Sequence, residues 1–327
     1  MSSYHVVVVG AGSVGLCLAA HFAQAGARVS LLARKASIDS LRNNPLRVSG
    51  LLGDHDIPQG TISVQDAAAP GEEAGQADML VLTTKAYDVK TALQPFAAMD
   101  RCPPVLMLQN GMGSAEIARG LLTPNVPLYS SAMMIGMVRQ APTLVSVTAH
   151  SSPILCGSLL GSDQGLGDDV TPLRQMLEVS KRGFIPMAHD SSIRETIAFK
   201  LLFNSFMNPT GAITGQTYGE LIEDPNSRAL IMGLAEETLA AFAMAFDYRP
   251  AENGRHYVDE TLRSIIFPRS TGHRSSMLQD LQAGRRTEID FLNGAVIRLA
   301  KTHGLSATRH QSILQLIKAR ESICSRR

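Results

Sequence analysis

Tryptophan is absent from the 327 residues, and aromatic side chains make up only 5% of them. So thin a supply of stacking rings argues against a surface that binds nucleic-acid bases. Neither sign of charge dominates: 30 Lys and Arg stand against 29 Asp and Glu, a net charge of +1. That balance leaves no electrostatic footprint for a polyanion. Cysteine is scarce as well. Cys17, Cys102, Cys156 and Cys324 are scattered without C-x-x-C spacing. No disulfide framework and no metal site are expected, and the thiols suit a reducing, cytoplasmic setting. The N-terminal apolar run is one strand long and lacks a basic flank, so neither a signal peptide nor a membrane span is expected there.

What the chain does have is a glycine turn. Val6-Val7-Val8-Val9 runs into Gly10-Ala11-Gly12-Ser13-Val14-Gly15 and then into an Ala-rich stretch. This order predicts a strand, a G-x-G-x-x-G turn and a helix. Gly10 permits the sharp turn, Gly12 leaves room for a pyrophosphate, and Gly15 lets the helix pack close to the strand. The unsatisfied N–H groups at the helix start would face the phosphates. Gly26 then closes the helix, and Arg28-Val29-Ser30-Leu31-Leu32 reads as strand two. It ends in Ala33-Arg34-Lys35, not in an acid. A carboxylate there would repel a 2′-phosphate, whereas Arg34 can grip one through two hydrogen bonds. The expected cofactor is therefore NADPH.

A length of 327 residues with 45% hydrophobic content suits two domains. Up to about residue 188 strands and helices alternate. Short strands are predicted at 46–48 and 61–64, a weak helix or loop at 66–77, and buried strands at 78–84 and 105–109. Further β character is predicted at 128–134, 144–148 and 153–157, a surface loop at 161–167, and a helix at 171–181. From about Asp190 the spacing is helical throughout, over 192–208, 227–246, 251–266, 275–283, 287–303 and 308–322. The expected fold is α/β: a Rossmann-type dinucleotide-binding domain, residues 1–188, followed by an all-α substrate domain, residues 189–327. The ligand is expected in the cleft between them, at the carboxyl ends of the strands.

Lys200, Asn204 and Asn208 lie four residues apart, so an α-helix places all three on one face. Their neighbours Ile197, Phe199, Leu201, Leu202, Phe203, Phe206 and Met207 are apolar. A lysine in such a helix is costly to bury unless its ammonium is used, for example as a proton donor to a ketone oxygen. Thr287-Glu288-Ile289-Asp290 has a capping-box pattern, predicting Thr287 as N-cap and Glu288 in the first helical turn. Ser276 and Glu288 would be about 18 Å apart in one straight helix. If both line a site, the helix must break, and Gly284 to Arg286 is the expected place. Lys85 and Asn110 stand just past two predicted strands, where cofactor and substrate sit in doubly wound sheets.

Longer motifs add a resemblance. The glycine turn, Lys85 and Gln109-Asn110-Gly111-Met112-Gly113 precede Lys200-Leu201-Leu202-Phe203-Asn204, Asn208-Pro209 and Gly219-Glu220-Leu221. Ser275-Ser276-Met277-Leu278-Gln279-Asp280 and Thr287-Glu288-Ile289-Asp290-Phe291-Leu292-Asn293-Gly294 follow. Nearly end to end, the chain resembles the ketopantoate reductase (2-dehydropantoate 2-reductase) family. The resemblance implies NADPH-dependent reduction of 2-dehydropantoate to (R)-pantoate, on the path to pantothenate and coenzyme A. It implies Lys200 as general acid and Glu288 as the carboxylate orienting substrate and lysine. Asn204, Asn208 and Ser276 would grip substrate, and Lys85 and Asn110 would lie at the nicotinamide end. Family members often carry Asn before Gly-Glu-Leu, where this chain has the larger Tyr218. Reduction of another 2-oxo acid is the alternative, and a non-catalytic NADPH sensor is the alternative from a different class. The expected partner is a small 2-oxo acid, with no nucleic acid and no membrane; any self-assembly expected is a homodimer.

Overall fold

A computed structural model describes residues 3–159, 170–266 and 271–324. The expected loop at 161–167 lies outside the described residues. Packing divides the chain into two units, one of residues 1–109 and 114–194, the other of residues 110–113 and 195–327.

The strands of the first unit are β1 (His5–Val9), β2 (Arg28–Ala33), β3 (Leu46–Gly50), β4 (His55–Ile57), β5 (Ser63–Asp66) and β6 (Met79–Leu82). They continue with β7 (Val105–Met107), β8 (Leu128–Ala132), β9 (Ile135–Ala141), β10 (Leu144–His150), β11 (Ile154–Ser158) and β12 (Met187–His189). Its helices are α1 (Ser13–Gln24), α2 (Lys35–Asn43), α3 (Val89–Ala97), α4 (Ser114–Leu121) and α5 (Thr171–Ser180). Six strands run parallel in the order β5-β2-β1-β6-β7-β8, the doubly wound dinucleotide order. β11 adds antiparallel to β8, and β12 parallel to β11.

β1 shows why its valines are continuous. Val6 and Val8 pack into the layer that holds Leu16, Leu18 and Phe22 of α1. Val7 and Val9 point the other way, into the layer that holds Leu93 and Phe96 of α3. A strand buried on both faces needs apolar residues at every position, not alternate ones.

The predicted strands at 46–48 and 144–148 do not join this sheet. They form a second, four-stranded sheet in the order β4-β3-β10-β9. Alternation of residue type marks a strand but does not name its neighbour. The segment at 66–77 resolves into a short 3₁₀ turn at Glu72–Gln76.

The helical unit comprises α6 (Ile193–Thr214), α7 (Tyr218–Glu223), α8 (Pro225–Phe246), α9 (Gly254–His256), α10 (Arg263–Ile266), α11 (Ser276–Gln282), α12 (Asn293–Thr302) and α13 (Thr308–Cys324). A π-helical segment at Tyr257–Leu262 joins α9 to α10. α8 is the one helix, among the described residues, long and apolar enough to cross a membrane. It buries Ile231, Leu234 and Phe242 and starts at an Asp224 cap.

α6 runs six residues beyond its expected end at Asn208, straight through Pro209. Proline has no N–H to give the carbonyl four residues back. That carbonyl belongs to Ser205, and Asn293 Nδ2 takes it at 2.8 Å. The end of α6 is held in turn by Arg320, which donates to the Ala212 and Ile213 carbonyls at 2.9 Å each.

The expected helix from Thr287 is a correction. Thr287 Oγ1 accepts from Ile289 N at 3.3 Å, but no α-helix follows; its N–H and hydroxyl donate to Glu321 Oε1 of α13, at 2.7 and 2.6 Å. Residues 288–292 form an irregular turn, and α12 starts only at Asn293. Glu288 therefore sits on a turn anchored from α13, not in a first helical turn.

Candidate active site

The glycine turn begins at the end of β1. Gly10 has φ +110°, open only to glycine, and a Cβ on Gly15 would fall 1.8 Å from the Gly10 carbonyl oxygen. Thr83 Oγ1 pins the turn by donating to the Val9 and Gly10 carbonyls at 2.9 Å each. Gly12 is the N-cap of α1, and a Cβ there would meet no heavy atom of the described residues within 4 Å beyond its own chain neighbours. Ala11, Ser13 and Val14 complete a cradle with open space at its centre. At the ends of the next two strands, Thr84 Oγ1 and Gln109 Oε1 are buried without a partner among the described residues. Buried polar atoms normally have partners, so these two fit a bound polar ligand at the carboxyl end of the sheet. The turn, the helix start, the Thr84 hydroxyl and the Gln109 acceptor oxygen together fit a dinucleotide.

Arg34 is the N-cap residue of α2 and is well exposed. It pairs with Asp88 at 2.7 Å, a carboxylate that the pattern of strand two did not reveal. Lys85, half-buried, is the N-cap residue of the 3₁₀ turn Ala86–Asp88.

The second group of residues lies in the helical unit. Lys200 on α6 donates from Nζ to Asn110 Oδ1 at 2.8 Å. Asn110 in turn donates from Nδ2 to Glu288 Oε2 at 3.3 Å. The segment 110–113 is tied to the turn that carries Glu288: Met112 N donates to the Phe291 carbonyl at 3.0 Å. Gly111 has φ +83°, and any Cβ there would lie 2.0 Å from that same carbonyl oxygen. Burial pushes the Lys200 ammonium down to about 8, while the Glu288 charge acts the other way and holds it up.

Asn204, one turn along α6, is buried and makes no side-chain hydrogen bond among the described residues. Asn208 is also buried. Its Oδ1 accepts from the Tyr218 hydroxyl at 2.8 Å, and its backbone carbonyl accepts from Ser275 Oγ at 3.1 Å. The Ser275 hydroxyl also receives Leu278 N as the cap of α11. Ser276 is the exposed first residue of that helix. Of this serine pair the structure joins Ser275, not Ser276, to the asparagine stripe.

α11 ends at Gln282, and Gly284 adopts φ +65°. The break between Ser276 and Glu288 thus falls where a glycine permits it. Nothing in the local sequence marks Asn293 as a support for α6 or Glu321 as an anchor for the Glu288 turn. Their roles depend on partners 88 and 34 residues away, which no local spacing encodes.

A model of the ketopantoate reductase family, described as Ketopantoate reductase PanE/ApbA, matches residues 6–160, and its C-terminal counterpart matches residues 192–321. The chain belongs to the ketopantoate reductase family. Among curated relatives, the 2-dehydropantoate 2-reductase of Aquifex aeolicus is 25% identical over 319 residues, covering 96% of each chain. That of Vibrio cholerae is 28% identical over 331 residues, covering 98% of this chain and 99% of its own. Among solved structures, the family member from Ralstonia eutropha JMP134 superposes with a TM-score of 0.82 at 23% identity, over 98% of this chain and 99% of its own. D-mandelate dehydrogenase, solved with NADH and anilino(oxo)acetate, superposes with a TM-score of 0.83 at 21% identity, over the same shares. This ketopantoate reductase family member is thus an oxidoreductase by family, with the family's α/β unit followed by its helical one.

Proposed function

We propose that this ketopantoate reductase family member reduces 2-dehydropantoate to (R)-pantoate with NADPH, a step toward pantothenate and coenzyme A. The observation that carries the reading is the Lys200–Asn110–Glu288 chain of hydrogen bonds beside two buried asparagines. When bound, the dinucleotide supplies the hydride that adds to the keto carbon. The residues that would hold it are Gly10 to Gly15 at the pyrophosphate, Arg34 at the 2′-phosphate, and Lys85 and Asn110 at the nicotinamide end. Four free thiols, Cys17, Cys102, Cys156 and Cys324, are in keeping with a cytoplasmic setting.

Lys200 acts as general acid. As negative charge develops on the keto oxygen, its ammonium gives up a proton, and the lowered pKa makes that transfer easier. Asn110 fixes Nζ in place, and Glu288 keeps the lysine charged before reaction. Asn204, with no side-chain hydrogen bond among the described residues, can turn both ends of its carboxamide to the substrate. Asn208 offers Nδ2 to the substrate carboxylate, and Ser276 adds a hydroxyl. Positioning and a fixed positive charge account for the acceleration.

One observation favours a second reading. Tyr218 takes one of the two acceptor sites of Asn208 Oδ1, so a hydroxyl group on the substrate would have to share that atom with it. This supports a 2-oxo acid without the terminal hydroxyl. The test is NADPH oxidation with 2-dehydropantoate and with 3,3-dimethyl-2-oxobutanoate, which lacks only that hydroxyl. A preference for 2-dehydropantoate of about 10⁴ or more marks a site built around the hydroxyl. Comparable rates select the second reading, and no turnover of any 2-oxo acid defeats both.

A further inference from the structure

Arg139 lies near the end of β9, in the small sheet rather than the dinucleotide-type one. Its Nη1 donates to the Ala11 carbonyl of the glycine turn at 3.0 Å. Nε and Nη2 donate to the carbonyls of Ala141 and Pro142, at 3.3 and 2.9 Å. A register shift aims it there. Leu144 pairs with Ala141 but Val145 pairs with Arg139, so Gln140 is the extra residue of a bulge. Bulges re-aim side chains in this way.

The partners of Arg139 are all neutral carbonyls. No carboxylate among the described residues lies within ion-pair reach. Arg34, by contrast, has Asp88 at 2.7 Å. Arg139 is exposed near the end of β9, yet partial desolvation lowers its pKa from the usual value, and its charge is not spent on a counter-charge among the described residues. A guanidinium has five N–H donors, and three carbonyls leave donors to spare. The fork touches the carbonyl one residue before the N-cap of α1, where free N–H groups draw anions.

We propose that Arg139 is a dinucleotide-binding residue whose guanidinium neutralises the pyrophosphate held at the Gly10–Gly15 turn. The proposal rests on the reading that this turn binds a dinucleotide. It gives the two arginines separate duties. Arg34 would distinguish NADPH from NADH, whereas Arg139 would serve the part common to both.

The test compares wild type, R139Q, R139K and R34A by fluorescence titration with NADPH and with NADH. R139Q should weaken both nucleotides by the same factor, roughly tenfold or more, as loss of a charge-assisted contact predicts. R139K should recover most of that loss by restoring the charge, and R34A should affect NADPH alone. If wild type binds either nucleotide and R139Q binds it equally well, the Arg139 proposal is overturned. If wild type binds neither, the dinucleotide reading itself fails. Should R139Q not fold, phenylglyoxal labelling of wild type decides: saturating NADH should protect Arg139 from modification, and an unchanged labelling rate overturns the proposal.

Discussion

Lys200 and Asn110 are joined by a 2.8 Å hydrogen bond across ninety positions of sequence. The carboxamide accepts the lysine's proton donor on one side and reaches Glu288 with its other end. Lysine and carboxylate thus communicate through an asparagine. In N110A the ammonium loses its fixed acceptor, and turnover should fall about 10- to 100-fold, the value of a hydrogen bond to a charged group. N110D should instead raise the lysine pKa by placing a carboxylate at the ammonium. Rate profiles of both variants between pH 6 and 10 check this.

The pH profile of the wild type has a definite sign. A general acid must carry its proton, so reduction should fall as pH rises through about 8, the value to which burial brings Lys200. E288Q removes the charge that holds this value up, and its alkaline limb should move to lower pH. Stability moves the other way. Below about 8 the folded and unfolded states both hold the proton. Between about 8 and the ordinary 10.5 only the unfolded state does, so rising pH favours the folded state across that window. Wild type should therefore gain melting temperature relative to K200M between pH 8 and 10.5.

Cofactor preference is open to a simple measurement. R34A should weaken NADPH by a factor of about 10 to 100 and leave NADH nearly unchanged, since only NADPH carries the 2′-phosphate. D88N should tighten NADPH, because it removes a carboxylate that holds Arg34 at 2.7 Å. A wild type that prefers NADH would contradict this reading of strand two.

Pro209 and Asn293 should behave as a coupled pair. N293A leaves the Ser205 carbonyl buried without its 2.8 Å partner and removes the bond to His310 Nδ1 at 2.9 Å. The loss should be about 1–3 kcal/mol by urea unfolding. In P209A/N293A the new N–H at 209 can take the Ser205 carbonyl, so part of the loss should return. Strict additivity in the double-mutant cycle would show that Asn293 does not stand in for the missing N–H.

The parts of this molecule legible in the sequence are those whose causes are local. Gly10 to Gly15 marks its own strand, turn and helix because steric demands there act within six residues. The Lys200, Asn204 and Asn208 stripe follows from helical rotation alone. The break after α11 follows from Gly284. What failed depended on distant partners. Thr287 has the composition of a cap and accepts Ile289 N, but Glu321 holds it from α13 and helix starts only at Asn293. Pro209 reads as a helix end until Asn293 is seen to satisfy Ser205. The second sheet was hidden because the partners of β3 and β10 lie about 97 positions apart, as Ser49 and Ser146 show.

The central claim is that Lys200 donates the proton in reduction of a 2-oxo acid, and the K200A turnover number tests it most directly. With the substrate that wild type reduces best, K200A should lose about 10²–10⁴ in kcat while NADPH binds with unchanged affinity. Near-normal kcat in a folded K200A that still binds NADPH would contradict the account.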